Sequence, residues 1–263
     1  MNTNTILTVE NVSKTFSAKS GPVEALRDVS FAVEKNELCV LLGPSGCGKS
    51  TLLNIVAGLE YPSAGRMLLD GVEVHGPGRE RGMVFQGYTS FPWLTVLQNV
   101  EYGMKLNGVP KAERRERASH YVDLVHLGKF RNAYPKTLSG GMKQRVAIAR
   151  TLANAPEILL MDEPFGALDA ETRWHMQEML LEILDTTHTT ILLVTHDIQE
   201  AIFLADRIVF LSSHPGRLKT ILDLKFKQGK RPNSKEELIQ MEGYLDCEQQ
   251  IVALMRSEAG IND

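Results

Sequence analysis

The chain has 263 residues, 43% of them hydrophobic, enough for one large domain with a substantial buried core. A net charge of −3 argues against a dedicated nucleic-acid binder, whose balance is usually basic. The three cysteines (Cys39, Cys47 and Cys247) have no CxxC spacing, which fits a reducing compartment and neither a disulfide frame nor a zinc site.

In chain order, "MNTNTILTVE" lacks a basic stretch followed by an apolar run, so no secretory signal is expected. No apolar run approaches the roughly 18 residues of a membrane-spanning helix. "ILTVENV", "VSFAVEKNE", "LCVLLG" and "GRMLLDG" predict strands. "KSTLLNIVAG" predicts a helix closed by Gly58. From Tyr88 to about Asn154 the text turns helical, with "TVLQNVEYGMKL" amphipathic and "KAERRERASHYVDLVHL" charged in front and apolar behind. "EILLMD", "TTILLVT" and "DRIVFL" are apolar runs of strand length separated by helical text, which implies βαβ units and a buried parallel sheet. Beyond Lys230 the tail predicts a helix with Leu238, Met241, Leu245, Val252 and Met255 on one face, weakened by Gly243. The expected organisation is one domain over 1–263. Its core comes from 1–87 and 155–230, a helical subdomain from 88–154, and a helical tail from 231–263.

Gly43, Pro44, Ser45, Gly46, Cys47, Gly48, Lys49 and Ser50, followed by Thr51, fit G-x-x-x-x-G-K-[ST] between a strand and a helix. Such a loop lines an anion nest with backbone N–H groups. Lys49 then reaches the β- and γ-phosphates and Ser50 ligates Mg²⁺. "ILLMDEP" is a buried strand ending in two carboxylates. Beside a phosphate loop, Asp162 suits Mg²⁺ held through water, and Glu163 suits activation of the attacking water. The alternative for Glu163 is a plain surface carboxylate. His196 follows the strand "ILLVTH", where it reads either as a γ-phosphate contact or as a structural histidine. Gln86 ends "GMVFQ" and suits contact with Mg²⁺ or water. Phe16 reads as an exposed ring able to stack on adenine, or as a core phenylalanine. "LSGGMKQR" places Ser139, Gly140 and Gly141 before a second helix, a second anion-seeking start in one chain.

This order of motifs, closing with "ALD" at Ala167–Asp169 and with His196, resembles the ATP-binding cassette (ABC) ATPases. The resemblance implies an α/β P-loop NTPase core of the ABC type, with a mainly parallel sheet, an N-terminal antiparallel β part and a helical insertion. It implies ATP and Mg²⁺ as ligands, with Mg²⁺ at Ser50, Gln86 and Asp162. Phe16 becomes the adenine-stacking aromatic, Glu163 the general base, His196 the switch histidine and Asp169 the D-loop acid. It also implies a head-to-tail dimer, with an identical or a related cassette, closed by ATP. In that dimer Ser139, Gly140, Gly141 and Gln144 of one copy meet the γ-phosphate on the other.

"GYTSFPWLTVLQNV" resembles the segment that receives a helix of the membrane subunit, with Tyr88, Phe91, Trp93 and Leu94 lining the groove. Core packing is the competing reading. "FPWLTVLQNV" and "SSHPGR" (Ser212–Arg217) resemble importers of the nitrate, sulfonate and taurine group. The resulting expectation is an ATPase subunit, peripheral on the cytoplasmic face of the plasma membrane. Its partners would be transmembrane permease subunits and, indirectly, a periplasmic or extracellular substrate-binding protein, with no nucleic acid. A transporter for another substrate, or a soluble ABC ATPase, is the alternative.

Overall fold

The β-rich N-terminal text becomes two long antiparallel strands, β1 (Thr5–Ala18) and β2 (Gly21–Glu34), paired from Thr5↔Glu34 to Ala18↔Gly21. The computed structural model describes residues 4–19, 21–232 and 234–260. Residues 1–3 and 261–263, and Asn233 in the tail, belong to the expected domain but lie outside the described residues. The chain forms two compact units. One is built from the described residues up to Gly78 and from Thr190 onwards, the other from Arg79–Thr189.

The first unit continues with β3 (Leu38–Leu42), α1 (Lys49–Val56), β4 (Ala64–Leu69) and the short β5 (Val72–Glu73). β4 pairs with the free side of β1, giving an antiparallel sheet in the order β2-β1-β4-β5. All five residues of β3 are buried, as expected of a strand covered on both faces.

In the second unit β6 (Arg81–Val84) precedes three helices, α2 (Val96–Leu106), α3 (Lys111–Leu124) and α4 (Gly140–Leu152). β7 (Ile158–Asp162) and α5 (Ala170–Thr187) follow. β6 and β7 are parallel, with Met83 opposite Leu160. A capping box opens α2: Thr95 Oγ1 accepts from Gln98 N (3.3 Å) and Gln98 Oε1 accepts from Thr95 N (2.9 Å).

The chain returns to the first unit through β8 (Thr190–Val194), α6 (Ile198–Leu204), β9 (Arg207–Leu211) and β10 (Leu218–Asp223). β3 lies in parallel between β8 and β9, with Cys39 opposite both Leu192 and Arg207. β10 is antiparallel at the edge. Register brings the C-terminal ends of β3 and β8 together, Leu41 opposite Val194. The glycine-rich loop and His196 therefore leave the same sheet edge, where ligands of open α/β sheets bind.

The tail departs from expectation. It is two helices, α7 (Lys235–Gln240) and α8 (Tyr244–Glu258), separated by an extended Met241 and by Gly243, whose φ of 94° only glycine adopts freely. The buried positions are Leu238, Tyr244, Cys247 and Ile251, while Leu245 points to solvent. The break rotates the face that a continuous helix would have presented.

Lys227 is a buried cation that the sequence did not flag. Its Nζ donates to Phe203 O (2.9 Å) and Ala205 O (2.7 Å), closing the end of α6. Burial pushes the ammonium down to about 7 from the ordinary 10.5, against the pull of Asp206. Between those values the unfolded chain holds more protons than the native one, so stability rises with pH across the window and is lost as pH falls through the native value. Lys227→Met should flatten that rise in urea-midpoint measurements. An unchanged rise would mean that Lys227 keeps its proton in the fold.

Candidate nucleotide site

β3 delivers the chain into Gly43–Gly48, and α1 starts at Lys49 with no side-chain cap. Its first N–H groups are thus left for an anion. Gly48 has φ 93°, and a Cβ there would lie 2.8 Å from Ala25 O and 2.7 Å from Leu26 Cδ2. Neither the conformation nor the space admits another residue. Lys49 is buried, its Nζ donating to Gly43 O and Pro44 O at 2.8 Å each, with Cys47 Sγ at 3.8 Å. The ammonium is thus held at the loop by carbonyls that a phosphate oxygen, a stronger acceptor, would displace. Ser45, Gly46 and Ser50 are exposed, Pro44 and Thr51 half-buried, and burial pushes the Cys47 thiol up.

Phe16 lies on β1 opposite Val23, 37% exposed, with Lys14 Nζ 4.8 Å from its ring centre. That exposure sets aside the core-phenylalanine reading. His196 is also exposed, just before Asp197, whose carboxylate caps α6 by accepting from Glu200 N at 3.0 Å. A core histidine would be covered.

In the second unit the fold brings together two residues that the sequence offered separately. Gln86 Nε2, after β6, donates to Glu163 Oε2, after β7, at 3.3 Å. The parallel pairing of β6 with β7 is the cause, because both strands end at the same edge. Asp162 closes β7, half-buried. Glu163 has φ 42°, a left-handed conformation costly for a residue with a Cβ and common where function requires a fixed side chain.

Ser139 caps α4, its Oγ accepting from Met142 N at 3.3 Å, and is exposed; Gly140 follows half-buried and Gly141 buried. Tyr88 covers this start: a Cβ on Gly140 would lie 2.4 Å from its hydroxyl, and Lys143 Nζ sits 5.5 Å from its ring. Gln144 differs from Ser139: its side chain is 1% exposed, one turn into the helix. Asp169 caps α5 by accepting from Thr172 N at 2.9 Å, and that bond holds its carboxyl below the usual range.

Phe91 lines a cavity of about 530 Å³ with Arg79, Arg81, Tyr102, Leu106 and Arg150. Trp93, 70% exposed, stacks at 5.5 Å from Phe91, and Leu94 is half-buried. Asn99 was missed by the sequence reading although it organises this loop. Its Nδ2 donates to Phe91 O (3.2 Å), Leu94 O (3.0 Å) and Thr95 O (3.0 Å), and its Oδ1 accepts from Phe91 N (2.8 Å). The available signal was an amide on the apolar face of α2, between Val96 and Val100. Arg150, also missed, donates to Thr89 O at 2.7 Å and lies 5.4 Å from the Phe91 ring.

Residues 26–166 match the family model described as ABC transporter. The chain belongs to the ABC transporter family, as one of its ATP-binding subunits. It is 50% identical over 218 residues to the nitrate import ATP-binding protein NrtD of Synechocystis sp., covering 83% of this chain and 82% of the relative. It is 49% identical over 223 residues to the taurine import ATP-binding protein TauB of Pseudomonas putida, covering 85% and 84%. A dimeric ATP-binding cassette in a post-hydrolysis state, bound to ADP and Pi, superposes with a TM-score of 0.72 at 33% identity. That match covers 83% of this chain and 99% of the solved one. No helix among the described residues is long and apolar enough to cross a membrane.

Proposed function

We propose that the chain is the ATP-hydrolysing subunit of an importer for a small oxyanion such as nitrate, a sulfonate or taurine. The observation that carries the chemistry is the Gln86–Glu163 hydrogen bond at 3.3 Å, which fixes a carboxylate at the end of β7. In this reading Lys49 and the loop N–H groups bind the β- and γ-phosphates, Phe16 stacks on adenine and His196 contacts the γ-phosphate. Glu163 takes a proton from the attacking water. Ser50, Asp162 and Gln86 are hard oxygen donors of the kind Mg²⁺ prefers, and the ion when bound would neutralise phosphate charge.

Two copies, or this chain and a related cassette, pair head to tail. Ser139, Gly140 and Gly141 of one then close over the nucleotide on the other. A two-fold interface is isologous, so one sequence must carry both halves of the composite site. That accounts for two anion-seeking helix starts in one chain. The oxyanion class rests on the kinship with nitrate and taurine import subunits. Permease subunits hold the cassette at the cytoplasmic face of the membrane, with an external binding protein delivering the substrate.

The permease helix docks on the Phe91–Trp93 face. An aromatic as exposed as Trp93 makes a strong interface anchor, and cavity-lining arginines beside the half-buried Phe91 supply charged donors. Trp93→Ala should leave the basal ATPase of the isolated subunit intact and weaken co-purification with the membrane subunit by at least about tenfold, the scale of one interface anchor. Loss of basal ATPase or of folding would return Trp93 to a packing role and remove the main support for docking here.

A further inference from the structure

The segment "SSHPGR" spans Ser212–Arg217. In the fold it is a tight loop between β9 and β10. Ser212 N donates to Arg217 O (2.9 Å), and Arg217 N donates to Ser212 Oγ (3.1 Å). Gly216 then runs beside β2, donating to Ala25 O (3.0 Å) and accepting from Arg27 N (2.9 Å). A Cβ on Gly216 would lie 2.0 Å from the Cys47 carbonyl oxygen. Backbone therefore rests on backbone, and the outer wall of the nucleotide loop is this hairpin.

The hairpin is gripped in turn by the last turn of α8. Glu258 Oε2 accepts from Ser213 N (2.6 Å) and from Ser213 Oγ (2.9 Å), and Oε1 pairs with Lys219. The Glu258 side chain is only 9% exposed, and Lys219 above all holds its carboxyl below the usual range. An exposed ion pair alone would matter little, and Lys219 is 37% exposed. The Glu258 carboxylate also accepts from a backbone N–H and a hydroxyl of Ser213, charge-assisted bonds that add to the pair. α8 is itself seated by Cys247 and Ile251, and Glu248 accepts from Tyr244 Oη (3.0 Å) and from Gln199 Nε2 of α6 (3.4 Å). Contact is thus continuous from the C-terminal helix through Glu258, Ser213 and Gly216 to Cys47, two residues from Lys49.

We propose that Glu258 is a positioning residue for the nucleotide loop: by gripping Ser213 and Lys219 it holds Gly216 against Cys47, and so makes ATP affinity depend on the docked C-terminal helix. The inference rests on the reading of residues 43–51 as the ATP site. Glu258 touches no phosphate in this scheme. It limits how far the loop opens, so it acts on binding and leaves the chemical step alone.

Native thiols report both ends of the strap in the full chain, Cys47 in the loop and Cys247 on α8. Alkylation by N-ethylmaleimide, resolved by peptide mass, is followed with and without ATP alongside KM and kcat. In Glu258→Ala, Cys47 should react at least about fivefold faster and KM for ATP rise by a similar factor, the scale of one net hydrogen bond. The value of kcat and the labelling of Cys247 should stay at parental levels. Glu258→Gln, whose amide oxygen still accepts from Ser213 but no longer pairs with Lys219, should recover part of the loss. Lys219→Met should move the same readouts in the same direction, and serves if Glu258→Ala folds poorly. Unchanged Cys47 labelling and KM overturn the proposal. So does acceleration of Cys47 and Cys247 together, which would make Glu258 a general anchor of the tail. If ATP fails to protect Cys47 in the parent chain, the ATP-site reading fails and this proposal with it. Protection by ATP with unaffected variants sinks the proposal alone.

Discussion

Glu163→Gln should bind ATP as the parent does and hydrolyse it at least about 100-fold more slowly, the scale of losing a general base. The geometry makes this substitution clean. The amide keeps an oxygen that can accept from Gln86 Nε2, so the bond at 3.3 Å survives. The φ of 42° at this position is borne by the backbone whichever of the two side chains is present. What disappears is the capacity to take a proton. A 100-fold loss corresponds to about 2.7 kcal/mol of transition-state stabilisation. The measurement pairs equilibrium binding of ATP with single-turnover hydrolysis. Near-parental turnover would remove Glu163 as the base. Weakened binding with normal turnover at saturation would make it a ligand-holding residue instead.

The parts of this molecule that were legible beforehand are those whose chemistry dictates a local pattern. The loop around Lys49 could be read because cradling a phosphate requires glycines and a lysine at fixed spacing between a strand and a helix. β3, β7 and β8 could be read because strands buried on both faces must be apolar throughout. The residues that escaped act through contacts that no motif encodes, some local and some across long separations. Asn99 organises the Phe91 loop through backbone carbonyls, and its only sequence signal is an amide on the apolar face of α2. Glu258 meets Ser213 over 45 residues, a contact set by where α8 lands. Gln144 lies in the same motif as Ser139, yet helical periodicity turns its side chain toward the core one turn after the exposed Ser139. The tail differs because α7 ends at an extended Met241 and α8 restarts at Gly243 with a positive φ, which resets the helical face.

The second large effect is expected at the start of α4. On size exclusion with ATP, Glu163→Gln should run as a dimer, since unconsumed ATP holds two copies together, whereas Glu163→Gln/Gly141→Asp should run as a monomer. A carboxylate introduced at Gly141 would add negative charge at the helix start proposed to meet the γ-phosphate. Two like charges about 4 Å apart repel by about 4 kcal/mol at an effective dielectric near 20, enough to lower dimer affinity by roughly 1000-fold. The chain's own loop at Gly43–Thr51 is untouched, so each monomer should still bind ATP. There is a confounding steric term, because a Cβ on Gly141 would lie 2.5 Å from Thr172 Cγ2, the residue whose N–H Asp169 caps. Gly141→Ala in the same background separates the two causes, since it adds the Cβ without the charge. Dimers with alanine and monomers with aspartate assign the loss to charge at the trans phosphate site. Monomers with both assign it to crowding between α4 and α5. If the aspartate variant dimerises on ATP as well as its parent, Ser139–Gly141 do not meet a partner's nucleotide, and the second anion-seeking helix start needs another explanation.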